Sequence, residues 1–235
     1  YQAAELAYLW ENSDTEAVIF QGTFTEQVDG LRAQLPLVKL YVHVDDGHGS
    51  CPDFAVPFES LASSGASIPA GTVRTPDDLI MLYTGGTTGM PKGVMWRQDD
   101  LFARLNGGGF RRWPDEGSVA DIVAGVRESG RGQTLLPACP LMHGTGLFSA
   151  LECFAEAGCV AILEGRRYDP VELASVIERE GVNTAVIVGD PFARPLLQTL
   201  EAEPGRFDLT SLFAILSSGA MWSEEIKAGL LEHHG

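Results

Sequence analysis

Apolar and polar residues alternate along this chain in two periods. Short apolar runs of strand length take turns with longer stretches in which apolar residues recur every three to four positions. Ala17–Phe20 reads as a strand, Thr23–Gln34 as a helix and Val38–Val44 as a second strand. Asp45–Pro57 is turn-rich, Phe58–Ala62 reads as a short helix, and Ser63–Thr75 is a connector of small residues. Asp78–Tyr83 reads as a buried strand, and Val94-Met95-Trp96 is again apolar and strand-like. Gln98–Leu105 should be helical, with Asp99 and Asp100 in the first turn, where carboxylates favour the helix dipole. Asn106-Gly107-Gly108-Gly109 should break that helix, and Ser118–Ser129 forms the next one with Ser118 as N-cap.

The second half is more regular. Strands are expected at Thr134–Ala138, Cys159–Leu163, Thr184–Val188 and Leu212–Leu216. Between and after them lie helices at Thr145–Ala157, Pro170–Glu180, Pro191–Ala202 and Ser223–His233. Asp169 caps the second of these, with Pro170 at its first position. Strands separated by helices of this length predict parallel β-α-β units. The fold class is therefore α/β, a mostly parallel sheet flanked by helices, with ligands expected at the C-terminal ends of strands.

Composition narrows the function. The chain has 235 residues, 45% of them apolar, enough for a sizeable core within one domain. It holds no run of eighteen apolar residues, so no transmembrane helix is expected. Cys51, Cys139, Cys153 and Cys159 form no C-x-x-C pair and read as buried thiols in a reducing, cytoplasmic setting. A net charge of −16 argues against nucleic acid as a partner. The charge is uneven, however. Residues 1–83 hold 12 acids and 3 bases, and residues 113–235 hold 18 acids and 8 bases. Residues 84–112 alone are positive, with Lys92, Arg97, Arg104, Arg111 and Arg112 against Asp99 and Asp100. Because salt screens charges beyond about 8 Å, this local set can still receive a polyanion. Arg104, Arg111 and Arg112 read as a solvated helix face, with Lys92 the exception because its loop specifies it.

Residues 84–94 read Thr-Gly-Gly-Thr-Thr-Gly-Met-Pro-Lys-Gly-Val. Gly85, Gly86 and Gly89 let the backbone approach a ligand closely. Amides, the hydroxyls of Thr84, Thr87 and Thr88, and the Lys92 ammonium can then face anionic oxygens. The spacing is not that of a Walker loop, because Lys92 follows Pro91 and leads into an extended segment. Nor does a G-x-G-x-x-G precede a helix here.

From Tyr83 to Val94 the run resembles the signature of the adenylate-forming superfamily, Tyr-Thr-Ser-Gly-Thr-Thr-Gly-x-Pro-Lys-Gly-Val, with Gly85 in place of the serine. Two further segments resemble the same family in the same order. Pro140-Leu141-Met142-His143-Gly144-Thr145-Gly146 is similar to its Pro-x-x-His-x-x-Gly loop, whose histidine lies beside the acyl pocket and the route of the thiol. Leu216-Ser217-Ser218-Gly219-Ala220 is similar to the turn that lines the adenine and acyl sites. The resemblance places Lys92 and His143 in the chemistry. It gives Thr84, Gly85, Gly86, Thr87, Thr88, Gly89, Lys92, Ser218, Gly219 and Ala220 to the nucleotide.

Relatives continue with a Tyr-Gly-x-Thr-Glu motif whose glutamate helps hold magnesium, a ribose-binding aspartate, and a small C-terminal domain that supplies a lysine. None of these occurs before Gly235, and Tyr1–Leu6 begins inside what resembles a family helix. The chain is therefore expected to be a central part of the AMP-binding N-terminal domain, inactive in isolation and without a metal ligand set of its own. The resemblance implies activation of a carboxylic acid by ATP with magnesium, followed by transfer to coenzyme A. Met95-Trp96-Arg97-Gln98 is most similar to synthetases acting on fatty acids or sterol side chains. Gly144, Gly146, Ala150 and the apolar stretch Leu147–Ala155 line either an apolar tunnel or a packed helix face. Transfer to a carrier protein stays open beside coenzyme A, and no residue pattern sets the oligomeric state.

Overall fold

The structure, a computed structural model, describes residues 1–85, 90–109, 111–114 and 118–233. The chain divides into two compact units, Tyr1–Gln98 and Asp99–Gly235. The first opens with helix α1 (Ala3–Asn12) and strand β1 (Ala17–Gln21). Helix α2 (Thr25–Leu31) follows, extended at both ends by tighter 3-10 turns over Gly22–Phe24 and Arg32–Gln34. Strand β2 (Leu40–Val44) runs parallel to β1, pairing Ala17 with Leu40 and Gln21 with Val44. On its other side β2 pairs with β3 (Val56–Pro57), a short strand at the end of the turn-rich segment. Two residues are too few to leave a period in the sequence.

Burial alternates along β1, with Val18 and Phe20 inward and Ala17, Ile19 and Gln21 outward. One face of this sheet is thus covered, and Val18, Phe20, Val28 and Tyr41 form its core. Phe54 joins that core as an aromatic hub, its ring 6.0 Å from Phe20 and 5.6 Å from Tyr41.

After the short helix α3 (Phe58–Ala62), strands β4 (Leu79–Thr84) and β5 (Lys92–Arg97) form an antiparallel hairpin. Tyr83 faces Gly93, and Thr84 faces Lys92 at the loop end. The expectation that this first strand is buried is corrected. No residue of β4 is buried, and Leu79 and Met81 are exposed. Each strand of a two-stranded ribbon has a single neighbour, so apolar composition does not by itself produce burial.

Helix α4 (Gln98–Gly108) runs through the residues expected to break it. The reason is tertiary. Asn106 is buried, its amide donating to the Trp113 carbonyl at 2.9 Å and accepting from the Trp113 N–H at 2.7 Å. Those bonds hold a helical backbone that two glycines alone would not favour. Helix α5 (Val119–Ser129) starts as expected, Ser118 and Asp121 forming a reciprocal capping box.

The second unit is built on a parallel sheet of order β7-β6-β8-β9. Its elements run β6 (Thr134–Pro137), α6 (Gly144–Ala155), β7 (Cys159–Val160), α7 (Pro170–Glu180), β8 (Thr184–Ile187), α8 (Asp190–Ala202), β9 (Ala214–Ser217) and α9 (Glu224–Glu232). Strand β7 is shorter than the expected Cys159–Leu163. Every residue of β6 and β8 is buried, as befits parallel strands covered on both faces. Leu136, Ala185 and Ile187 belong to the core that includes Leu173 and Ile177 of α7, Leu196 of α8 and Ile226 of α9. Leu135 and Val186, offset by one residue, pack with Cys153 of α6. Fully burying a Leu or Ile side chain contributes about 1.5–3 kcal/mol, so this double layer is the main store of stability in the unit.

All four cysteines are free; Cys139 and Cys153 are buried, Cys51 is half-buried, and Cys159 is exposed, against the expectation of a buried thiol. Burial and the neighbouring Glu156 push the Cys153 thiol up to about 11, so it stays protonated at neutral pH. Among the described residues no helix is long and apolar enough to cross a membrane.

Candidate functional site

The β4–β5 hairpin brings the two ends of the glycine-threonine loop together. Thr84 and Gly85 are exposed at one side of its mouth, and Lys92 is exposed opposite Thr84 as the first residue of β5. Gly86, Thr87, Thr88 and Gly89 lie outside the described residues. Gly93 is needed for close cross-strand contact, because a Cβ there would approach Met81 Sδ to 2.8 Å and the Tyr83 ring to 3.2 Å. The Tyr83 hydroxyl donates to Asn12 Oδ1 at 2.6 Å, tying the hairpin to α1. Arg97 pairs with Asp77 at 2.7 Å at the opposite end of the ribbon. The mouth offers an exposed hydroxyl, an exposed glycine and an ammonium, a donor set suited to phosphate oxygens.

In the second unit the other two predicted segments leave the same edge of the sheet. Parallel strands end together, Pro137 pairing with Val186 and Ile187 with Ser217. His143, six residues past the end of β6, is the N-cap of α6, and its Nδ1 accepts the Thr145 N–H at 3.3 Å. Past β9, Ser218, Gly219 and Ala220 are exposed. Gly219 adopts φ +88°, and a Cβ on it would lie 3.4 Å from His143 Cε1 and 3.7 Å from Thr145 Oγ1. The histidine loop and the serine-glycine-alanine turn, 76 residues apart in sequence by these numbers, are thus packed against one another.

Sequence reasoning missed the segment that holds this turn in place. Gly189 follows β8 with φ +59° and ψ −158°. Its N–H donates to Ser217 Oγ at 2.9 Å, and the Asp190 N–H donates to the Met221 carbonyl at 3.0 Å. Asp190 Oδ1 accepts the Ser223 N–H at 2.8 Å and the Ser223 hydroxyl at 3.1 Å. The Ser223 backbone bond is the chief cause that holds the Asp190 carboxyl below its ordinary range, with burial opposing it and the Ser223 hydroxyl and Arg194 adding to it. The visible signal was Gly189-Asp190-Pro191 directly after a strand-like run.

Two other readings are also resolved. Gly146 and Ala150 are buried, and a Cβ on Gly146 would come within 2.8 Å of the Pro140 carbonyl and 3.0 Å of that of Cys139. Gly146 therefore serves close packing of α6 and not a tunnel wall. Beside the histidine loop is a cavity of about 500 Å³, lined by apolar Leu141, Ile162, Leu163 and Phe192 and by Arg166 and Arg167. Arg111 is no solvated face: its guanidinium donates to the Gly130 and Glu156 carbonyls and lies 5.5 Å from the Trp113 ring centroid.

In the first unit the hairpin has a mouth bearing a hydroxyl and an ammonium; in the second, the C-terminal edge of a parallel sheet carries a histidine and a glycine turn, an α/β arrangement. The family model of AMP-binding enzymes matches residues 1–235, and the chain belongs to that family. It is 34% identical over 234 residues to the medium-chain acyl-CoA ligase Mig of Mycobacterium avium, covering 99% of this chain and 42% of that protein. It is 33% identical over 242 residues to the 3-oxocholest-4-en-26-oate–CoA ligase of Rhodococcus rhodochrous, with the same coverage of 99% and 42%. Among solved structures, the anthranilate CoA ligase AuaEII in complex with anthranoyl-AMP matches all of this chain and 42% of its own, with a TM-score of 0.77 at 16% identity. That likeness shows the fold. The chain spans about two fifths of the length of the curated relatives it matches.

Proposed function

We propose that this chain is the central part of the N-terminal domain of an ATP-dependent acyl-CoA synthetase, which activates a carboxylic acid as acyl-AMP and passes the acyl group to coenzyme A. The observation that carries the reading is the proximity of the His143 loop and the Gly219 turn, two segments that separately resemble the family and here lie together at one sheet edge. The family match over residues 1–235 supports it, as do relatives named as ligases of medium-chain and sterol side-chain acids. The acid is accordingly a fatty acid or a sterol side chain, as the names of those relatives suggest. Four free thiols support a reducing, cytoplasmic setting.

In this reading the acid's carboxylate attacks the α-phosphorus of ATP and pyrophosphate departs; the thiol of coenzyme A then displaces AMP. Charge builds on the pyrophosphate as its bond to the α-phosphorus breaks. Thr84, the Gly85–Gly89 backbone, Thr87, Thr88 and Lys92 neutralise it, and removing one such preorganised donor costs about 10²–10³ in rate. Ser218, Gly219 and Ala220 line the adenine and acyl side, and His143 faces the acyl group. Magnesium would accompany the nucleotide. Among the described residues no cluster of three His, Cys, Asp or Glu side chains is placed to hold a metal ion, so no step is assigned through one.

The test is ATP–pyrophosphate exchange by the full-length protein with a panel of carboxylic acids, followed by thioester assay. Exchange driven by medium- or long-chain or sterol side-chain acids, with coenzyme A thioester formed, is expected. Acyl-AMP formation with no thioester would shift the reading to a ligase that loads a carrier protein. Residues 1–235 alone should not form acyl-AMP.

A further inference from the structure

We propose that the His143 imidazole is locked by its own helix with the proton on Nε2, so that it serves the acyl site as a hydrogen-bond donor and not as a general base. This rests on the reading of His143 as an acyl-site residue. The lock itself rests only on geometry. A backbone N–H can only donate, so the 3.3 Å contact from the Thr145 N–H obliges Nδ1 to present a lone pair. The neutral ring then carries its single proton on Nε2. His143 is the N-cap of the twelve-residue α6, and its backbone carbonyl also accepts the Leu147 N–H at 3.0 Å, so the ring is oriented by the start of the helix.

The consequence is a fixed polarity. With Nδ1 accepting at the cap, Nε2 is the nitrogen of this exposed ring left to meet a ligand, and it carries hydrogen. The ring edge between the two nitrogens, Cε1, faces Gly219, where any side chain would meet it. A donor beside an acid undergoing activation can bond a carboxylate or acyl oxygen. It cannot take a proton from an approaching thiol without first surrendering its own, and transferring the proton to Nδ1 would break the cap.

The proposal is tested by NMR on protein labelled with ¹⁵N in histidine and threonine. A scalar coupling across the hydrogen bond between the Thr145 amide nitrogen and His143 Nδ1 is expected. Hydrogen exchange of the Thr145 amide should speed up about fivefold in His143→Ala, the equivalent of a lost cap. In His143→Asn, whose side-chain oxygen can also cap, exchange should stay close to the parent rate. A proton found on Nδ1, or Thr145 exchange unchanged in His143→Ala, overturns the lock. Adding a non-hydrolysable acyl sulfamoyl adenosine should move the His143 Hε2 resonance while the Nδ1 coupling persists. Bound analogue with an unmoved Hε2 overturns the donor role. A full-length protein that binds no such adenylate overturns the synthetase reading instead, and the coupling decides the tautomer on its own.

Discussion

Replacing Gly189 with alanine tests the assembly of the site without substituting any residue assigned to the ligand. Gly189 holds φ +59° and ψ −158°, a conformation that essentially only glycine adopts. Forcing an L-residue there costs about 1–3 kcal/mol. The new Cβ would also lie 2.3 Å from the Met221 carbonyl oxygen and 3.0 Å from the Ala220 carbonyl carbon. Both are backbone atoms, and the Gly189–Ser217, Asp190–Met221 and Asp190–Ser223 hydrogen bonds keep the two loops from separating. Such overpacking adds about 1–3 kcal/mol, for a combined loss of about 2–6 kcal/mol. Gly181→Ala is the control, since Gly181 also has a positive φ of +60° but nothing within 4 Å of its would-be Cβ. It should lose only the left-handed strain, about 1–2 kcal/mol. Guanidinium chloride unfolding followed by circular dichroism reads both. If Gly189→Ala costs no more than Gly181→Ala, the loop does not clamp the Ser218–Ala220 turn as described.

Gly219→Ala should cost little stability beyond its own strain at φ +88°, yet it places a methyl 3.4 Å from His143 Cε1. ATP–pyrophosphate exchange by the full-length variant should fall by about tenfold or more; exchange at the parent rate would remove the His143–Gly219 contact from the account. Asp190→Asn should lower the melting temperature at neutral pH, because it discards the charge that Ser223 and Arg194 stabilise. A depressed native pKa contributes stability above the ordinary carboxylate value near 3.9 and loses it as pH falls through the lower native value, so the gap between parent and variant should close in that acid window. A gap that widens on acidification would contradict the assignment. Asn106→Leu should destabilise the chain by about 2–4 kcal/mol by leaving the buried Trp113 N–H and carbonyl unpaired. A denaturation midpoint within error of the parent would show that α4 does not depend on that pair.

Elements whose ends are set by neighbouring residues were legible in the sequence. Helix α7 runs over the predicted Pro170–Glu180 because its signals are local: Asp169 accepts from the Val171 N–H, Pro170 fills the first turn, and Gly181 takes the left-handed conformation at the end. Helix α5 follows the same logic from Ser118. What failed depended on distant partners. Asn106 reads as a helix breaker until Trp113 returns seven residues later to bond both ends of its amide. Asp78–Tyr83 reads as buried, but burial is set by whatever packs on a strand, and in the hairpin no residue of β4 is buried. Of the candidate site, the motif residues Thr84, Gly85, Lys92, His143 and Ser218–Ala220 were named from sequence pattern and resemblance, and they lie exposed. Gly189, Asp190 and Ser223 hold the Ser218–Ala220 turn through bonds that mix backbone and side chain, and such bonds leave only a weak mark on residue type.

The most direct trial of the central claim is ATP–pyrophosphate exchange by full-length Lys92→Ala, at saturating acid, against the parent protein. If the hairpin mouth neutralises the departing pyrophosphate, exchange falls by at least about tenfold. Exchange at the parent rate would contradict the claim, leaving Lys92 as a surface residue on a ribbon with no part in the chemistry.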